Sequence, residues 1–231
     1  MKVLGIDTSA IVCSVALIED QTVIAHKTVS DGLTHSETLL PLIKEILESS
    51  CTPLSALDGI AISHGPGSFT GLRIGISAAK GLAVSKNIPC IGVSTLEALA
   101  MNAIDLDGYV ICPVMDARRG EFYNALFRTD NGKLLRLCED RAIHGNLIAE
   151  ELSSYERVLI LGDGAEKFVA QNTSFENELA VESLRYQSGK SVAVLGLKAI
   201  AAGEAISCAE LSPRYLRLPQ AEREWNNKNK K

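Results

Sequence analysis

A glycine-rich segment between an apolar strand and a helix of small residues constrains the fold of this chain more than any other part of its sequence. Residues 64–75 read HGPGSFTGLRIG, and Ser68 stands where a side-chain oxygen caps a helix start, which stabilises a helix by roughly 1 kcal/mol. Glycine within a helix costs about 0.5–1 kcal/mol relative to alanine, so Gly71, Gly75 and Gly81 require compensation. The segment therefore indicates either an anion site at a helix N-terminus or a helix face on which another element packs closely.

The spacing of the glycines separates these two interpretations. The turn lacks the Gly-Lys-Ser/Thr ending of a phosphate-binding P-loop. Gly65, Gly67 and Gly71 are spaced by two and four positions, whereas the dinucleotide fingerprint requires two and three. We therefore interpret Gly71 and Gly75 mainly as clearance for a second helix, supplied by this chain or by another subunit.

Composition and charge limit the functions that this chain can have. It has 231 residues, of which 46% are hydrophobic and 22% are charged, enough for one large domain or two small ones. Its formal net charge of −5 gives no sign of the basic face that binds nucleic acid. If the protein acts on RNA, we expect another molecule to hold most of that RNA.

The cysteines and histidines predict no metal site. The six cysteines include no Cys-x-x-Cys pair, and the four histidines show no His-x-x-x-His spacing, so no helix presents two ligands on one face. Scattered free cysteines are typical of a reducing cytosol. The apolar run at residues 1–6 is too short for a signal peptide or a membrane span, so we expect a cytoplasmic protein without membrane association.

The order of the predicted elements indicates the fold class. The first part of the chain reads strand, strand, strand, helix, strand, helix, strand, helix, which is typical of half an actin-like or ribonuclease-H-like domain. Its first long helix, Thr34–Ser49, opens with the spacing of a capping box, and Pro41 predicts a kink or a later start. The second long helix, Ser68–Ser85, follows the glycine turn.

A polar, glycine-containing segment at residues 105–108 divides the chain. We predict an α/β protein of actin-like (ribonuclease-H-like), ATPase-type fold, with two similar α/β domains and mixed sheets, at residues 1–104 and 105–217. An alanine-rich helix near residues 191–202 is expected to pack back on the first domain. The polar residues 218–231 are predicted to form a disordered tail.

Strands recur in the second half of the chain. We predict them at Tyr109–Met115, Glu121–Thr129 and Leu134–Cys138. The Asn131-Gly132 dipeptide between the last two is a strong hairpin signal.

Polar residues at the ends of predicted strands form a candidate nucleotide site. Asp7 ends the first strand, and Asp116 ends the matching strand of the second half. In actin-like kinases and ATPases a carboxylate at such a position faces the metal and phosphate, which hydroxyls and backbone amides surround. The alternatives are that Asp7 caps its turn and that the later glycines form a plain strand-to-helix turn. The candidate residues are Asp7, Thr8, Ser9, Asp116, Gly162 and Gly164.

Several segments together resemble one protein family. Their sequences are IDTS at 6–9, GPGSFTGLRIG at 65–75, GVSTL at 92–96, DARRGEFY at 116–123 and PRYLR at 213–217. In this order they are similar to the TsaB family, also called YeaZ, over nearly the whole chain. The resemblance implies an actin-like fold of two α/β domains.

The resemblance also implies a function. Members of this family are partner subunits of TsaD, which transfers a threonylcarbamoyl group to N6 of adenosine 37 in tRNAs that read codons beginning with A. TsaE, a P-loop ATPase, joins them. The implied role is a non-catalytic scaffold with no catalytic residue, metal or cofactor of its own, and any ATP is expected in the assembled complex. Thr95 and Leu99 stand where TsaD has two ligand histidines, and neither side chain replaces an imidazole on a metal.

The implied partner surface is the pair of long helices. We expect the first helix to expose its apolar stripe and the second to present its glycines, so that two such pairs from two subunits form a four-helix interface. The same surface predicts a homodimer when TsaD is absent, and tRNA is expected to be contacted mainly through the partner. The expected interface residues are Leu39, Ile43, Ile46, Leu47, Phe69, Gly71, Leu72, Gly75, Ile76 and Ala79.

Two other classes of function stay open at this point. An active actin-like ATPase or sugar kinase would use Asp7, Thr8, Asp116 and the glycines around residue 163, although no further carboxylate stands out as a base. A metalloprotease, the older label of this superfamily, would require a bound metal, for which the sequence offers no ligand cluster.

Overall fold

The structure, a computed structural model, describes residues 1–172 and 176–217. These residues form two α/β halves, each built on a mixed sheet. The predicted disordered tail at residues 218–231 lies outside the described part of the chain. None of the helices in the described ranges is long and apolar enough to cross a membrane.

The first half is built on a five-stranded sheet whose inner strands are almost fully buried. The apolar run that opens the chain forms a central strand, which pairs antiparallel with the second strand and parallel with the fourth. Continuous apolar sequence suits such a strand, because helices cover both faces of the sheet. In the spatial order β3-β2-β1-β4-β5, the strands are β1 (Lys2–Asp7), β2 (Cys13–Glu19), β3 (Thr22–Val29), β4 (Gly59–Gly65) and β5 (Cys90–Ser94).

The second half repeats this arrangement on a seven-stranded sheet. Its central strand also ends in an aspartate, pairs antiparallel with the next strand and pairs parallel with a later one. The main path runs β10-β7-β6-β11-β12, and β8 pairs with β6 and β9. The strands are β6 (Val110–Asp116), β7 (Glu121–Asn124), β8 (Phe127–Asp130), β9 (Lys133–Arg136), β10 (Arg141–His144), β11 (Val158–Leu161) and β12 (Glu178–Leu179).

Two of the helices connect the halves. Leu96 and Leu99 follow β5 directly, but they lie in the hydrophobic core of the second sheet with Ile111. Val192 and Ala193, late in the chain, pack on the first sheet. The two halves therefore share their packing. The α-helices are α1 (His35–Ser49), α2 (Phe69–Val84), α3 (Thr95–Met101), α4 (Gly145–Leu152), α5 (Ala165–Gln171), α6 (Glu182–Arg185) and α7 (Gly189–Ala201).

Some local expectations are confirmed and others are corrected. The capping box at Thr34 forms, because the Glu37 carboxylate accepts the Thr34 backbone amide at 3.1 Å. The expected later start of this helix is wrong, since α1 begins at His35 and runs through Pro41. The single strand expected at Glu121–Thr129 is two strands, β7 and β8. The sequence pattern did not predict the short elements β10, β12 and α6.

The apolar stripes of α1 and α2 face this chain's own sheet. Leu39 is 1% exposed and lies in the hydrophobic core of the first domain, and Leu72 is fully buried. The expectation that these stripes are exposed to a partner is therefore wrong, because helical periodicity identifies a buried face without identifying what buries it. Leu47 and Phe69 are half-buried. The expected interface residues that are buried are Leu39, Ile43, Ile46, Gly71, Leu72, Gly75, Ile76 and Ala79.

Gly71 and Gly75 of α2 admit Thr8, which follows β1, and this corrects their interpretation as clearance for a second helix. A Cβ atom at Gly71 would overlap the Thr8 carbonyl oxygen, and one at Gly75 would overlap the Thr8 hydroxyl and lie 2.9 Å from Ile62 Cδ1. The Thr8 hydroxyl donates to the Gly71 carbonyl at 2.8 Å. Gly81 differs, since nothing lies within 4 Å of its Cβ position.

Replacing Gly75 with alanine tests this packing. We expect Gly75→Ala to lower the free energy of unfolding by about 1–3 kcal/mol, because the methyl group overpacks a buried contact that cannot relax. Gly81→Ala, in the same helix but in open space, is the matched control and should raise stability by about 0.5–1 kcal/mol. Urea denaturation of both variants gives the comparison, and equal effects would contradict the assignment.

Candidate functional site

The turn after β1 is closed by its own side chains. Asp7 is fully buried, and its Oδ1 accepts the Ser9 backbone amide at 2.9 Å and the Ser9 hydroxyl at 2.6 Å. Its Oδ2 accepts the Ser63 hydroxyl. Burial raises the pKa of Asp7, against these hydrogen bonds, which lower it. The interpretation of Asp7 as the cap of its turn is confirmed, and both carboxylate oxygens are already engaged.

The glycine turn fits into this first turn. The Ser68 backbone amide donates to the Ser9 carbonyl at 2.7 Å, and a Cβ at Gly67 would overlap that same oxygen. Ser68 caps α2 as predicted, since its hydroxyl accepts the Gly71 amide at 3.3 Å. Protein atoms thus engage the Ser68 and Gly71 amides, two of the groups at this helix start that could bind an anion. The glycine turn after β4 is therefore held against the turn after β1.

The matching turns of the second half are also packed closed. Asp116 accepts the Arg118 backbone amide at 2.7 Å and forms an ion pair of 2.8 Å with Lys167. Gly162 has a φ of +107°, and a Cβ there would overlap the Val114 carbonyl. At Gly164 a Cβ would lie 2.8 Å from the Asp116 backbone nitrogen. These glycines bring the β11–α5 turn against β6, as the strand-to-helix interpretation requires.

A cleft of about 720 Å³ lies between the two halves. Of the predicted nucleotide residues, Ser9 and Asp116 line it. The other four are buried and are not among its lining residues: Asp7, Thr8, Gly162 and Gly164. Its lining is mixed in charge and includes two arginines and two aspartates. The residues that line it are Ser9, Ala10, Ile11, Gly67, Ser68, Phe69, Thr70, Arg73, Met115, Asp116, Ala117, Arg118, Tyr123 and Asp163.

Asp163 is the titratable group of this cleft whose pKa is most clearly shifted. Burial, and to a lesser extent the nearby carboxylates of Asp116 and Asp7, raise the pKa of its carboxyl to about 6. The Gln187 side-chain amide, whose nitrogen lies 3.5 Å from Asp163 Oδ1, opposes this shift. Asp163 was not predicted as a site residue, because its glycine-flanked position is typical of a strand-to-helix turn.

A C-terminal strap, residues 204–217, closes one side of the cleft. The Tyr215 ring stacks on Phe69 with 4.5 Å between ring centroids, and its hydroxyl accepts Arg73 Nε at 2.8 Å. Arg217 donates to the Ala117 carbonyl and pairs with Glu121 at 2.7 Å. These side chains were missed as site residues, although the PRYLR segment that contains them carried part of the family resemblance.

The donor set does not fit a bound metal or a metal nucleotide. No group of three or more His, Cys, Asp or Glu side chains able to hold a metal occurs in residues 1–172 and 176–217. Thr95 and Leu99 are both buried, and the Thr95 hydroxyl has no hydrogen-bond partner among the described residues. Asp7 is saturated by hydroxyls and an amide, and Asp116 is neutralised by Lys167.

Apolar side chains remain on the outward side of α1 and α2. Leu33 and Leu40 are 59% and 53% exposed, and Val84 at the end of α2 is 63% exposed. Ile74 and Ala78 are half-buried on the same helix. We call these five residues the docking face. Leu33, Leu40 and Val84 lie outside the buried stripe of each helix, whereas Ile74 and Ala78 also pack against the first hydrophobic core. An occupant at the three exposed residues would not have to displace the core.

Comparison with known proteins finds one family model and several relatives that match much of this chain. A family model described as TsaD, tRNA N6-adenosine threonylcarbamoyltransferase, matches residues 24–225. The tRNA threonylcarbamoyladenosine biosynthesis protein TsaB of Bacillus subtilis (strain 168) is 34% identical over 229 residues, which cover 97% of this chain and 98% of that protein.

Solved structures of other proteins share this fold. YeaZ from Pseudomonas aeruginosa has a TM-score of 0.79 at 27% identity, covering 93% of this chain and 99% of that one. Component A of the (R)-2-hydroxyglutaryl-CoA dehydratase of Acidaminococcus fermentans has a TM-score of 0.51 at 12% identity, covering 87% and 99% of the two chains, and shares the fold alone. With its two similar halves the chain has the predicted actin-like, ATPase-type α/β fold. By sequence and structure, this chain belongs to the TsaB family of tRNA threonylcarbamoyladenosine biosynthesis proteins.

Proposed function

We propose that this chain is the non-catalytic partner subunit that TsaD requires for threonylcarbamoyl transfer to N6 of adenosine 37 in tRNA. The observation that carries the proposal is that a family match over 97% of the chain coincides with a cleft whose candidate ligands are already occupied by protein groups. The chain acts in the cytoplasm with other tRNA-modification proteins, and TsaE joins the assembly. Any ATP is held in that assembly.

The docking face is the surface through which we propose that TsaD binds. Leu40 lies exposed on α1, and the exposed Leu33 lies just before that helix begins. α2 adds half-buried Ile74 and Ala78 beside open space at Gly81, where a helix from another chain can approach closely. Two helix pairs meeting at this face form a four-helix interface. Without TsaD, a second copy of the chain occupies the same face and forms a homodimer.

The partner makes most of the contact with tRNA in this proposal. Affinity for nucleic acid depends mainly on cationic side chains that neutralise phosphates. This chain has a net charge of −5, and cleft arginines such as Arg73 are engaged within the protein. We therefore assign tRNA binding chiefly to TsaD.

Reconstitution tests the role directly. We expect a reaction containing tRNA, ATP, threonine, bicarbonate, TsaD, TsaE and the enzyme that forms the threonylcarbamoyl donor to slow by at least about tenfold when this chain is omitted. Mass spectrometry of nucleosides from the tRNA gives the yield. Equal modification with and without the chain would refute the proposed role.

A charge on the docking face should block assembly. We expect Leu40→Asp to weaken binding to TsaD at least about tenfold, because the carboxylate would lose its hydration in an apolar interface. The monomer should keep its melting temperature, since Leu40 is 53% exposed. Leu147→Asp on α4, where the leucine is 49% exposed, is the matched control. Calorimetry and size exclusion measure binding, and unchanged binding by Leu40→Asp would place the interface elsewhere.

The cleft carboxylate Asp163 should make stability depend on pH. Its pKa is about 6 in the folded chain, above its ordinary value of 3.8, so the folded state holds this proton more tightly than the unfolded state. Stability from this group is complete below about pH 4 and is lost as the pH rises through 6. We expect Asp163→Asn to stabilise the chain by about 1–3 kcal/mol at pH 7.5 and to have little effect at pH 4.

Urea denaturation at the two pH values measures this difference for Asp163→Asn. Asp107→Asn, at an exposed position, is the control and should show no such change. An effect of Asp163→Asn that is the same at pH 4 and pH 7.5 would show that the carboxylate is not shifted in the cleft.

A further inference from the structure

The first sheet has an open edge that nothing in the proposed function uses. β5 is its last strand, and only β4 pairs with it along its length. On the other side, Ile206 exchanges two backbone hydrogen bonds with Cys90, each of 2.9 Å. The strap therefore covers the beginning of this edge and shows that the edge accepts an antiparallel strand.

The edge continues past the strap at Gly92. In a parallel pair, alternate residues direct their amide and carbonyl to the same neighbour, and Ile60 N bonds to Pro89 O on the β4 side. Cys90 and Gly92 therefore both direct these groups away from β4. No residue of the described chain pairs with the amide or carbonyl of Gly92 on that side. Gly92 is partly exposed, so the pair of groups is accessible.

A groove of about 580 Å³ lies over this edge. The strap leaves the edge after Ile206 in a turn that Glu210 closes, its carboxylate accepting the Ser207 amide at 3.0 Å and hydroxyl at 2.7 Å. The strap returns at His64, whose carbonyl accepts the Arg214 amide at 2.7 Å. The groove occupies the space between these two points, and the last turns of α7 form its other wall.

The groove is lined by apolar side chains together with polar and charged ones, three glutamates among them. The His64 ring occupies the space that a side chain at residue 92 would need. Burial and the nearby Arg214 charge lower the pKa of this histidine. Glu97, Glu204 and Glu210 line the groove, against Lys198 as the one lysine among the lining residues. The Glu204 carboxylate has no ion-pair partner in the described ranges.

We propose that this groove, between β5, the strap and α7, binds an extended peptide segment of a partner protein that carries a lysine or arginine. The peptide adds a short strand to the sheet by pairing its backbone with Gly92, as other peptides do at open sheet edges. Its cationic side chain lies beside Glu204. Glu97 is paired with Arg136 at 2.9 Å, so Glu204 and Glu210, against Lys198, are the carboxylates that favour a basic peptide over an acidic one.

Nuclear magnetic resonance of the full-length, ¹⁵N-labelled chain tests the proposal. The probe is the capped pentapeptide Val-Arg-Val-Lys-Val. We expect it to shift the Gly92 amide resonance and to slow the exchange of that amide at least about tenfold, as a newly formed hydrogen bond does. Two matched peptides are controls: Val-Arg-Pro-Lys-Val, which lacks the central amide, and Val-Glu-Val-Glu-Val, which reverses the charge. Both should bind at least about tenfold more weakly.

A pair of substitutions tests the charge contribution without touching the sheet. We expect Glu204→Lys to weaken binding of the basic peptide about twofold to fivefold, as for a rim charge. Glu182→Lys, an exposed position in the second half, should leave binding unchanged. An unaffected Gly92 amide at millimolar peptide, or equal binding of the three peptides, would overturn the proposal. A Gly92 amide already protected before peptide is added would also overturn it, since this chain or a second copy would then occupy the edge.

Discussion

The contact between Thr8 and α2 is the constraint on which the first domain depends. The Thr8 hydroxyl reaches the Gly71 carbonyl at 2.8 Å, which is possible only because Gly71 and Gly75 have no Cβ. This approach places the Ser9 carbonyl over the glycine turn, where it accepts the Ser68 amide at 2.7 Å. These two hydrogen bonds thus position α2 beside the buried Asp7. The opposite side of α2 faces outward.

This contact limits the groups that the actin-like cleft can offer to a ligand. The cleft itself persists at about 720 Å³, but the first-strand carboxylate, Asp7, is turned to Ser9 and Ser63, and its counterpart Asp116 pairs with Lys167. A carboxylate that binds a metal needs free oxygens, and neither residue offers two of them. The architecture is thus retained while both aspartates stabilise turns, and this agrees with the non-catalytic role that we propose.

Contacts between residues close in the sequence made much of this fold predictable. The element that buries each apolar side chain could not be predicted in this way. The Ser68 cap, the capping box at Thr34 and the Asn-Gly hairpin each follow from contacts within a few residues. The stripe containing Leu39 has the same helical period whether a sheet or a partner covers it, so the sequence left the covering partner open. Tyr215 and Arg73 lie 142 positions apart, and no local pattern predicts that such residues meet.

The long-range contacts explain why the docking face and the cleft belong to one unit. α3 lies in the second core and α7 lies on the first sheet, so neither half completes its packing alone. The strap adds direct links, since Tyr215 stacks on Phe69 at the start of α2 while Arg217 holds Ala117 at the second domain's turn. A protein bound to the outward side of α2 therefore contacts a helix whose first turn is tied to both halves. The orientation of that helix is fixed by the whole chain, which gives a partner a rigid surface without any ligand in the cleft.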